Sequence, residues 1–488
     1  MQALRLRLLG AAGVVLLLAA WAAASLLAGS FFVPAPWTTA ADAVLLLSRP
    51  GTWTQILITL LRVCVGFLVG LAAGIAAGLA IGTRREIAAL LRPLVLFFQG
   101  MPPLLWAIPL VALMGIGHIP TIIVITLITF PLVAVTIGEG MTTLPRELGE
   151  MLDISAPGFA ARTRELVLPH LAPFLAAAVN AGLVLAVKAS VTAEYFGAND
   201  GIGFQIQAAY MSLRIRSLFA WAAVLVLIIL LFNYLLPRVR RIGPRVRGIQ
   251  HGRPALALRP GTAPGELETL FAARPSTGRS PRIVLDNVSF SFRRQSALMT
   301  RVRLTVKPGE IALLTGDSGV GKTTVLRLIA SLLKPSQGDV QAPARIGYVF
   351  QDDRLLPWRS VLENTALPLV YQGFARDEAI RLALVLLKEA GLAGEEGKKP
   401  HELSGGMRKR AALARCFARL PDAILMDEPF SGLHTRARSH LWEMFLRLHT
   451  LRPVPALIVT HYPEEIAARA PCRVYTLEGK PARLSAVR

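Results

Sequence analysis

The sequence predicts an α-helical membrane domain of six transmembrane helices fused to an α/β P-loop nucleotide-binding domain, and three observations carry that fold class. Apolar runs of about 20 residues, the length a helix needs to cross a bilayer, crowd the N-terminal half. From about residue 283 the pattern changes to strands alternating with helical stretches, the mark of an α/β domain. Within it, "GEIALLTGDSGVGKTT" sets a β-rich run before a G-x4-G-K-T loop and an amphipathic helix after it.

Over 488 residues the chain is 53% hydrophobic, too apolar for an ordinary soluble protein and long enough for two or three domains. The expected division is a transmembrane domain over 1–237, a basic Pro/Gly-rich linker over 238–282 and an ATP-binding domain over 283–488. A formal net charge of +22 invites a nucleic-acid partner. Many of the basic residues, however, are arginines set beside hydrophobic runs, so the expected partner is the lipid bilayer and no nucleic acid. Cys64, Cys416 and Cys472 have neither disulfide nor metal-ligand spacing and read as packing residues.

Hydropathy places crossings at about 8–28, 55–81, 94–116, 119–138, 171–192 and 218–236. The first follows Arg5 and Arg7 and ends near Ala28-Gly29-Ser30, where a leader would be cleaved. Its apolar core is long for a leader, and it reads as an uncleaved anchor. With the N-terminus inside, the inner segments hold Arg5, Arg7, Arg84, Arg85, Arg92, Arg146, Arg162, Arg164 and the cluster from Arg238 to Arg247. Outside stand Arg49, Arg214 and Arg216, an asymmetry that puts everything after Leu236 in the cytosol.

The second crossing repeats Gly66, Gly70, Gly74, Gly78 and Gly82, a stripe on which another helix can close. Pro102, Pro103 and Pro109 predict a kinked or broken third crossing. Lys188 and Glu194, toward the outer end of the fifth, are charges near an apolar segment and candidates for a substrate pathway, with snorkelling or a structural ion pair as the plain alternative. Residues 237–282 are rich in Pro, Gly and Arg without apolar periodicity and read as a linker, its basic front end solvated or near anionic headgroups.

In the P-loop, Gly316, Gly319 and Gly321 let backbone N–H groups turn toward phosphate oxygens, and the helix that follows adds its partial positive charge. The expected cradle is Gly316, Asp317, Ser318, Gly319, Val320, Gly321, Lys322, Thr323 and Thr324, with Lys322 reaching the β- and γ-phosphates and Thr323 ligating Mg²⁺. "AILMDEP" is an apolar strand ending in Asp427 and Glu428, one carboxylate for the magnesium shell and one to polarise the attacking water. "LSGGMRKR" offers a second Gly-rich helix start, where Ser404, Gly405 and Gly406 present amides to an anion.

In these residues the chain resembles the ATP-binding-cassette family, whose P-loop, LSGG signature, Asp-Glu strand and switch histidine all occur in order over about 283–488. The resemblance implies that Gln351 of "YVFQDDRLLPW" senses magnesium and contacts the transmembrane partner, and that His461 of "LIVTHYPEEI" meets the γ-phosphate. It also puts Phe292 where an aromatic stacks on adenine; a core Phe is the alternative. Glu428, His461 and Gln351 are then the catalytic set, and Thr323, Gln351 and Asp427 the metal ligands. Two departures are His434 in "SGLH", where the family has Asp, and Lys409, where Gln is common. Family members bind ATP between two cassettes, so a chain with one implies a homodimer.

"EMLDISAPGFAARTRELVLP", from Glu150 to Pro169, resembles the coupling loop of binding-protein-dependent importers: Glu150, Leu166, Leu168 and Pro169 fit its pattern, whereas Met151, Leu152 and Ala156 replace two alanines and a glycine. A short helix with Glu150 and Asp153 at its start is expected to dock in a cassette groove near Gln351. "LLRVCVGFLVGLAAGIAAGLAIG", "PPLLWAIPLVALMGIG" and "KASVTAEYFGANDGIG" resemble permeases of the nitrate, sulfonate and taurine importer group, and "LLPW" with "ENTALPL" their ATPases, normally separate chains. The resemblance implies ATP-driven import of a small anionic or heteroaromatic solute across a bacterial cytoplasmic membrane by alternating access, fed by an external solute-binding protein. Nitrate, a sulfonate, bicarbonate and a vitamin-precursor pyrimidine all fit, and no motif chooses among them. Domain order alone suggests a half-exporter, but the loop between the second and third crossings is too short for that plan; an ATP-driven membrane regulator is the remaining alternative.

Overall fold

The computed structural model describes residues 2–242, 268, 271, 281–292 and 296–487, and the chain divides into two compact units. Residues 145–169 belong with the C-terminal domain, and the rest of the apolar half forms the other unit.

The apolar unit is helical. Before the 145–169 segment come α1 (Gln2–Ala28), α2 (Pro36–Leu47), α3 (Pro50–Thr83), α4 (Arg85–Gly100), α5 (Pro103–Met114) and α6 (His118–Thr142). The segment itself holds α7 (Arg146–Ser155) and α8 (Phe159–Arg162), and after it come α9 (Leu168–Gly197), α10 (Ile202–Met211) and α11 (Ile215–Ile242). Among the described residues, 5 helical runs are long and apolar enough to cross a membrane, or 6 if the bent pair α4–α5 counts as one.

That pair is the expected third crossing, bent by 91°. The break falls at Met101 and Pro102, with ψ of 122° and 147°, because each precedes a proline and is pushed out of the α region. Pro109 stays inside α5. α3 starts at Pro50, ahead of the expected 55, since the fixed φ of proline suits a first helical turn.

The glycine stripe of α3 is filled by α6 of the same chain: Gly66, Gly70, Gly74, Gly78 and Gly82 face Ile125, Thr129, Val133, Ile137 and Met141. A Cβ on Gly74 would stand 2.5 Å from Val133 Cβ and 2.7 Å from the Phe130 carbonyl oxygen, closer than atoms pack. The backbones are near enough for Thr126 Oγ1 to donate to Gly66 O at 3.1 Å.

The second unit contains two sheets. β1 (Ile283–Phe290), β2 (Met299–Val306) and β4 (Gln337–Gln341) pair antiparallel in the order β2-β1-β4. The larger has the order β5-β6-β7-β3-β8-β9, with β3 (Ile311–Gly316), β5 (Ile346–Val349), β6 (Ala423–Asp427), β7 (Ala456–Val459) and β8 (Arg473–Glu478) parallel and β9 (Arg483–Val487) antiparallel at its edge. β6 and β7 are buried throughout, as parallel strands covered on both faces must be. The helices are α12 (Lys322–Ile329), α13 (Val361–Tyr371), α14 (Arg376–Glu389), α15 (Gly405–Ala418), α16 (Thr435–Leu451) and α17 (Pro463–Ala467).

Most of the stretch read as a linker lies outside the described residues. Phe271 within it is buried in the core of the second unit, 6.4 Å from the Phe417 ring, and its carbonyl accepts from Arg452 Nη1 at 3.1 Å.

Gly74→Leu overpacks the α3–α6 contact, which typically costs about 1–3 kcal/mol, and lowers the thermal unfolding temperature in detergent. Gly51→Leu in the same helix, with no atom within 4 Å of its added Cβ, leaves that temperature unchanged.

Candidate functional site

The predicted nucleotide residues meet at one end of the parallel strands. Pairing sets Val349 beside Met426, and Asp427 and Leu314 both beside Val459, so β5, β6 and β7 end within one residue of one another and β3 runs two residues further, to Gly316. Gln351 follows β5, Asp427 and Glu428 close β6, His461 follows β7 and the P-loop follows β3. Ligands of open parallel sheets collect at these carboxyl ends.

Gly316, Gly319 and Gly321 have φ of 137°, 80° and 113°, a region that favours glycine, and a Cβ on Gly316 would collide with the Leu477 carbonyl oxygen. Asp317, Ser318 and Gly319 form the exposed crest of the loop, while Val320 and Thr324 are buried beneath it. Lys322 is buried and folded into its own loop, Nζ donating to Gly316 O at 2.7 Å and Asp317 O at 2.9 Å. Its neighbour Thr323 donates through Oγ1 to Asp427 Oδ1 at 3.2 Å.

Burial, reinforced by the Glu428 charge, holds the Asp427 carboxyl above the usual range. Glu428 occupies the left-handed region at φ 47°, a strained setting for a side chain of its size. Its Oε1 accepts from His461 Nε2 at 2.9 Å and its Oε2 from Gln351 Nε2 at 3.3 Å. The three predicted catalytic side chains are thus one hydrogen-bonded cluster.

The hydroxyl of Thr323, the carboxylate of Asp427 and the amide oxygen of Gln351 are hard donors that suit Mg²⁺. Among the described residues no group of 3 or more His, Cys, Asp or Glu could hold a metal. This sparse donor set fits an ion that takes its remaining oxygens from phosphate and water.

Ser404 caps α15, its Oγ accepting from Met407 N at 3.3 Å, and Gly405 and Gly406 supply the first turn with amides open to an anion. Ser404 and Gly405 are exposed. Phe292 is not a core residue: it is 44% exposed, stands edge-on to Phe290 and lines a cleft with Gly319 and Val320. Two departures from the family pattern have local structural roles. His434 caps α16 by accepting from Ala437 N at 3.4 Å, and Lys409 donates from Nζ to Gln351 O at 2.8 Å.

Within the 145–169 segment, Glu150 Oε2 accepts from Arg354 Nη1 at 2.8 Å and from Arg327 Nη2 at 3.3 Å. Arg327 lies on α12, the helix that opens with Lys322, and Arg354 is three residues beyond Gln351, so one carboxylate touches both nucleotide-reading elements. The apolar residues that replace alanines, Met151 and Leu152, are buried at 0% and 1%. Glu150 and Asp153 do not lie at the helix start, because α7 already begins at Arg146, directly after Pro145. Asp153 pairs with Arg162 of the same segment at 3.5 Å, and both are exposed. Nothing in the sequence pattern pointed to Arg327 or Arg354.

In the apolar unit Lys188 and Glu194 part company. Glu194 is fully buried and accepts from Arg62 Nη1 at 3.0 Å, Thr59 Oγ1 at 2.9 Å, Gly203 N at 2.9 Å and Ser190 Oγ at 3.3 Å; Arg62 also pairs with Asp200. Lys188 is exposed on the surface of this unit.

A family described as "ABC transporter" matches residues 299–431, and one described as "Binding-protein-dependent transport system inner membrane component" matches residues 66–248. The aliphatic sulfonates import ATP-binding protein SsuB 1 of Rhodococcus jostii is 42% identical over 188 residues, 37% of this chain and 74% of its own length. The formylaminopyrimidine import ATP-binding protein ThiZ of Halalkalibacterium halodurans is 37% identical over 185 residues, 38% of this chain and 74% of its own. The taurine import ATP-binding protein TauB of Pseudomonas fluorescens is 39% identical over 176 residues, 34% of this chain and 67% of its own. A solved dimeric cassette, MJ0796 bound to ADP and Pi, matches at 28% identity and a TM-score of 0.38, over 42% of this chain and 99% of that one.

The chain belongs to the ATP-binding-cassette transporter family, as an importer with permease and ATPase fused in one polypeptide. It is a multi-pass membrane protein that binds ATP and couples its hydrolysis to transport.

Gly316→Ala, which puts a Cβ against a backbone carbonyl at positive φ, should abolish binding of a fluorescent ATP analogue in titration. For Asp427, a folded-state carboxyl raised by burial opposes folding wherever the unfolded carboxyl is ionised. Asp427→Asn therefore raises the unfolding temperature of nucleotide-free protein at neutral pH, and the gain shrinks as the pH falls toward the unfolded value of about 3.9.

Proposed function

We propose that two copies of this chain assemble into an importer with composite ATP sites, the P-loop of one cassette facing Ser404, Gly405 and Gly406 of the other. The observation that carries this reading is the Glu428 cluster beside the P-loop in a chain whose signature helix start stands open. The arginine asymmetry supports a bacterial cytoplasmic membrane location with the cassette in the cytosol. Sulfonate, taurine and formylaminopyrimidine import by the relatives supports a small anionic or heteroaromatic cargo, delivered by an external solute-binding protein.

On nucleotide binding, Lys322 exchanges its two loop carbonyls for β- and γ-phosphate oxygens, and the loop amides and the start of α12 take the remaining charge. Phe292 stacks on the adenine. Thr323, Asp427 and Gln351 would hold Mg²⁺, which would supply positive charge to offset that of the phosphates. Glu428 polarises the attacking water, and His461, already hydrogen-bonded to it, turns its Nε2–H toward the γ-phosphate.

Cassette closure and hydrolysis then drive alternating access, with Glu150 as the coupling residue and Asp153 bracing its segment through Arg162. Shifting such a switch from 1:99 to 99:1 takes about 5.5 kcal/mol of differential binding, which two charge-rich ATP interfaces supply. In the permease, Lys188 lines the solute pathway for an anionic cargo, while Glu194 fixes the outer end of α9 through Arg62.

Glu428→Gln should trap ATP and cut steady-state hydrolysis by about 10²–10⁴, and Lys322→Ala should nearly eliminate it; normal ATPase in either would sink the site assignment. A mild-detergent pull-down of Glu428→Gln with ATP, analysed by mass spectrometry, should recover a secreted solute-binding protein and its ligand. Reproducible absence of such a partner would count against import through one.

A further inference from the structure

The Glu150 contacts anchor only one end of the 145–169 segment. Near its other end a π-helical turn, Thr163–Val167, buries Glu165 to 3% exposure. π-turns are rare and frequent at functional sites. The coupling-loop pattern leaves position 165 unspecified, so the resemblance assigns this residue no role.

Three side chains around α13 converge on it. Tyr371 donates its hydroxyl to Glu165 Oε1 at 2.8 Å, Arg359 forms an ion pair with Oε2, and Trp358 Nε1 donates to the Glu165 carbonyl at 3.0 Å. Burial and the Glu165 carboxylate push the Tyr371 phenol up to about 12, so it stays a donor throughout the physiological range.

The receiving surface is stiff. Ser360 and Glu363 close a reciprocal capping box at the start of α13. Asn364, fully buried, accepts from Leu356 N at 2.7 Å and donates to the carbonyls of Leu356, Arg359 and Ser360. Trp358 and Arg359 are therefore held in fixed positions relative to α13.

We propose that Glu165 is a second positioning residue of the transport cycle, tying the segment to α13 while Glu150 ties it to α12. The proposal rests on the coupling reading above. A segment anchored at one end follows one element; anchored on both, it responds to displacement of α13 relative to α12. A buried carboxylate is strongly disfavoured without its partners, so Glu165 travels with α13 and does not slide over it. The helical run Phe159–Gly197 carries Glu165 and continues as α9, which gives the displacement a path along one backbone.

The test uses the full chain in lipid nanodiscs, with hydrogen–deuterium exchange over residues 195–205, at the far end of α9, measured with and without ATP in the Glu428→Gln background. ATP should change that exchange in the chain with native Glu165. The change should be lost in Glu165→Gln and reduced in Tyr371→Phe, which removes a single hydroxyl. With native Glu428, both variants should hydrolyse ATP within about twofold of normal, since neither residue touches nucleotide. Exchanging the charges, Glu165→Arg with Arg359→Glu, should restore the response.

An undiminished ATP response in Glu165→Gln overturns the proposal, as does a charge exchange that hydrolyses ATP normally without restoring the response. A native-Glu165 chain with no ATP response overturns alternating access itself, and the role of Glu165 with it.

Discussion

Parallel pairing aligns Val349 with Met426 and sets Asp427 and Leu314 beside Val459, and the groups at the nucleotide end take their places from that alignment. A slip of one residue in any of these strands would turn its side chains to the opposite face and carry its terminal group out of the row. The apolar runs of β6 and β7 place these strands in the sheet interior, buried on both faces. A hydrophobic constraint thereby positions polar chemistry.

The charges at that end are held by partners within the unit. Lys322 rests on two carbonyls of its loop, while Gln351 and His461 share Glu428. Lys322 is already withdrawn from water and the Glu428 cluster already oriented, so these groups need only exchange partners to act. Asp427 is the exception: burial leaves it short of compensating charge, which is a local cost to the fold.

The permease unit rests on close approach of backbones. Glycines along α3 let α6 close on it, and buried Arg62 joins α3 to Glu194 and Asp200. In the 145–169 segment, Met151, Leu152 and Leu166 are buried as apolar anchors, and Glu150 and Glu165 select which surface they meet. Apolar burial supplies the free energy there and the paired carboxylates supply the register.

Much of this was legible in the chain because it is written in local patterns. The P-loop, the Asp-Glu strand and the LSGG helix start are short motifs whose spacing fixes their own conformation. The broken third crossing follows from Pro102 and Pro103, since a proline restrains the residue before it wherever it occurs. Pairings between distant segments have no such signature: Glu150 with Arg327, Glu165 with Tyr371, and Gly74 with Val133 exist only once the chain has closed on itself. Lys188 and Glu194 show the boundary. Both read as charges near one crossing, yet at about 100° per residue a separation of six turns them roughly 120° apart, so packing buries Glu194 against Arg62 and leaves Lys188 exposed. Sequence determined that two charges occupy the helix; the direction each faces was decided by the tertiary structure, because only neighbouring helices distinguish one side of a helix from another.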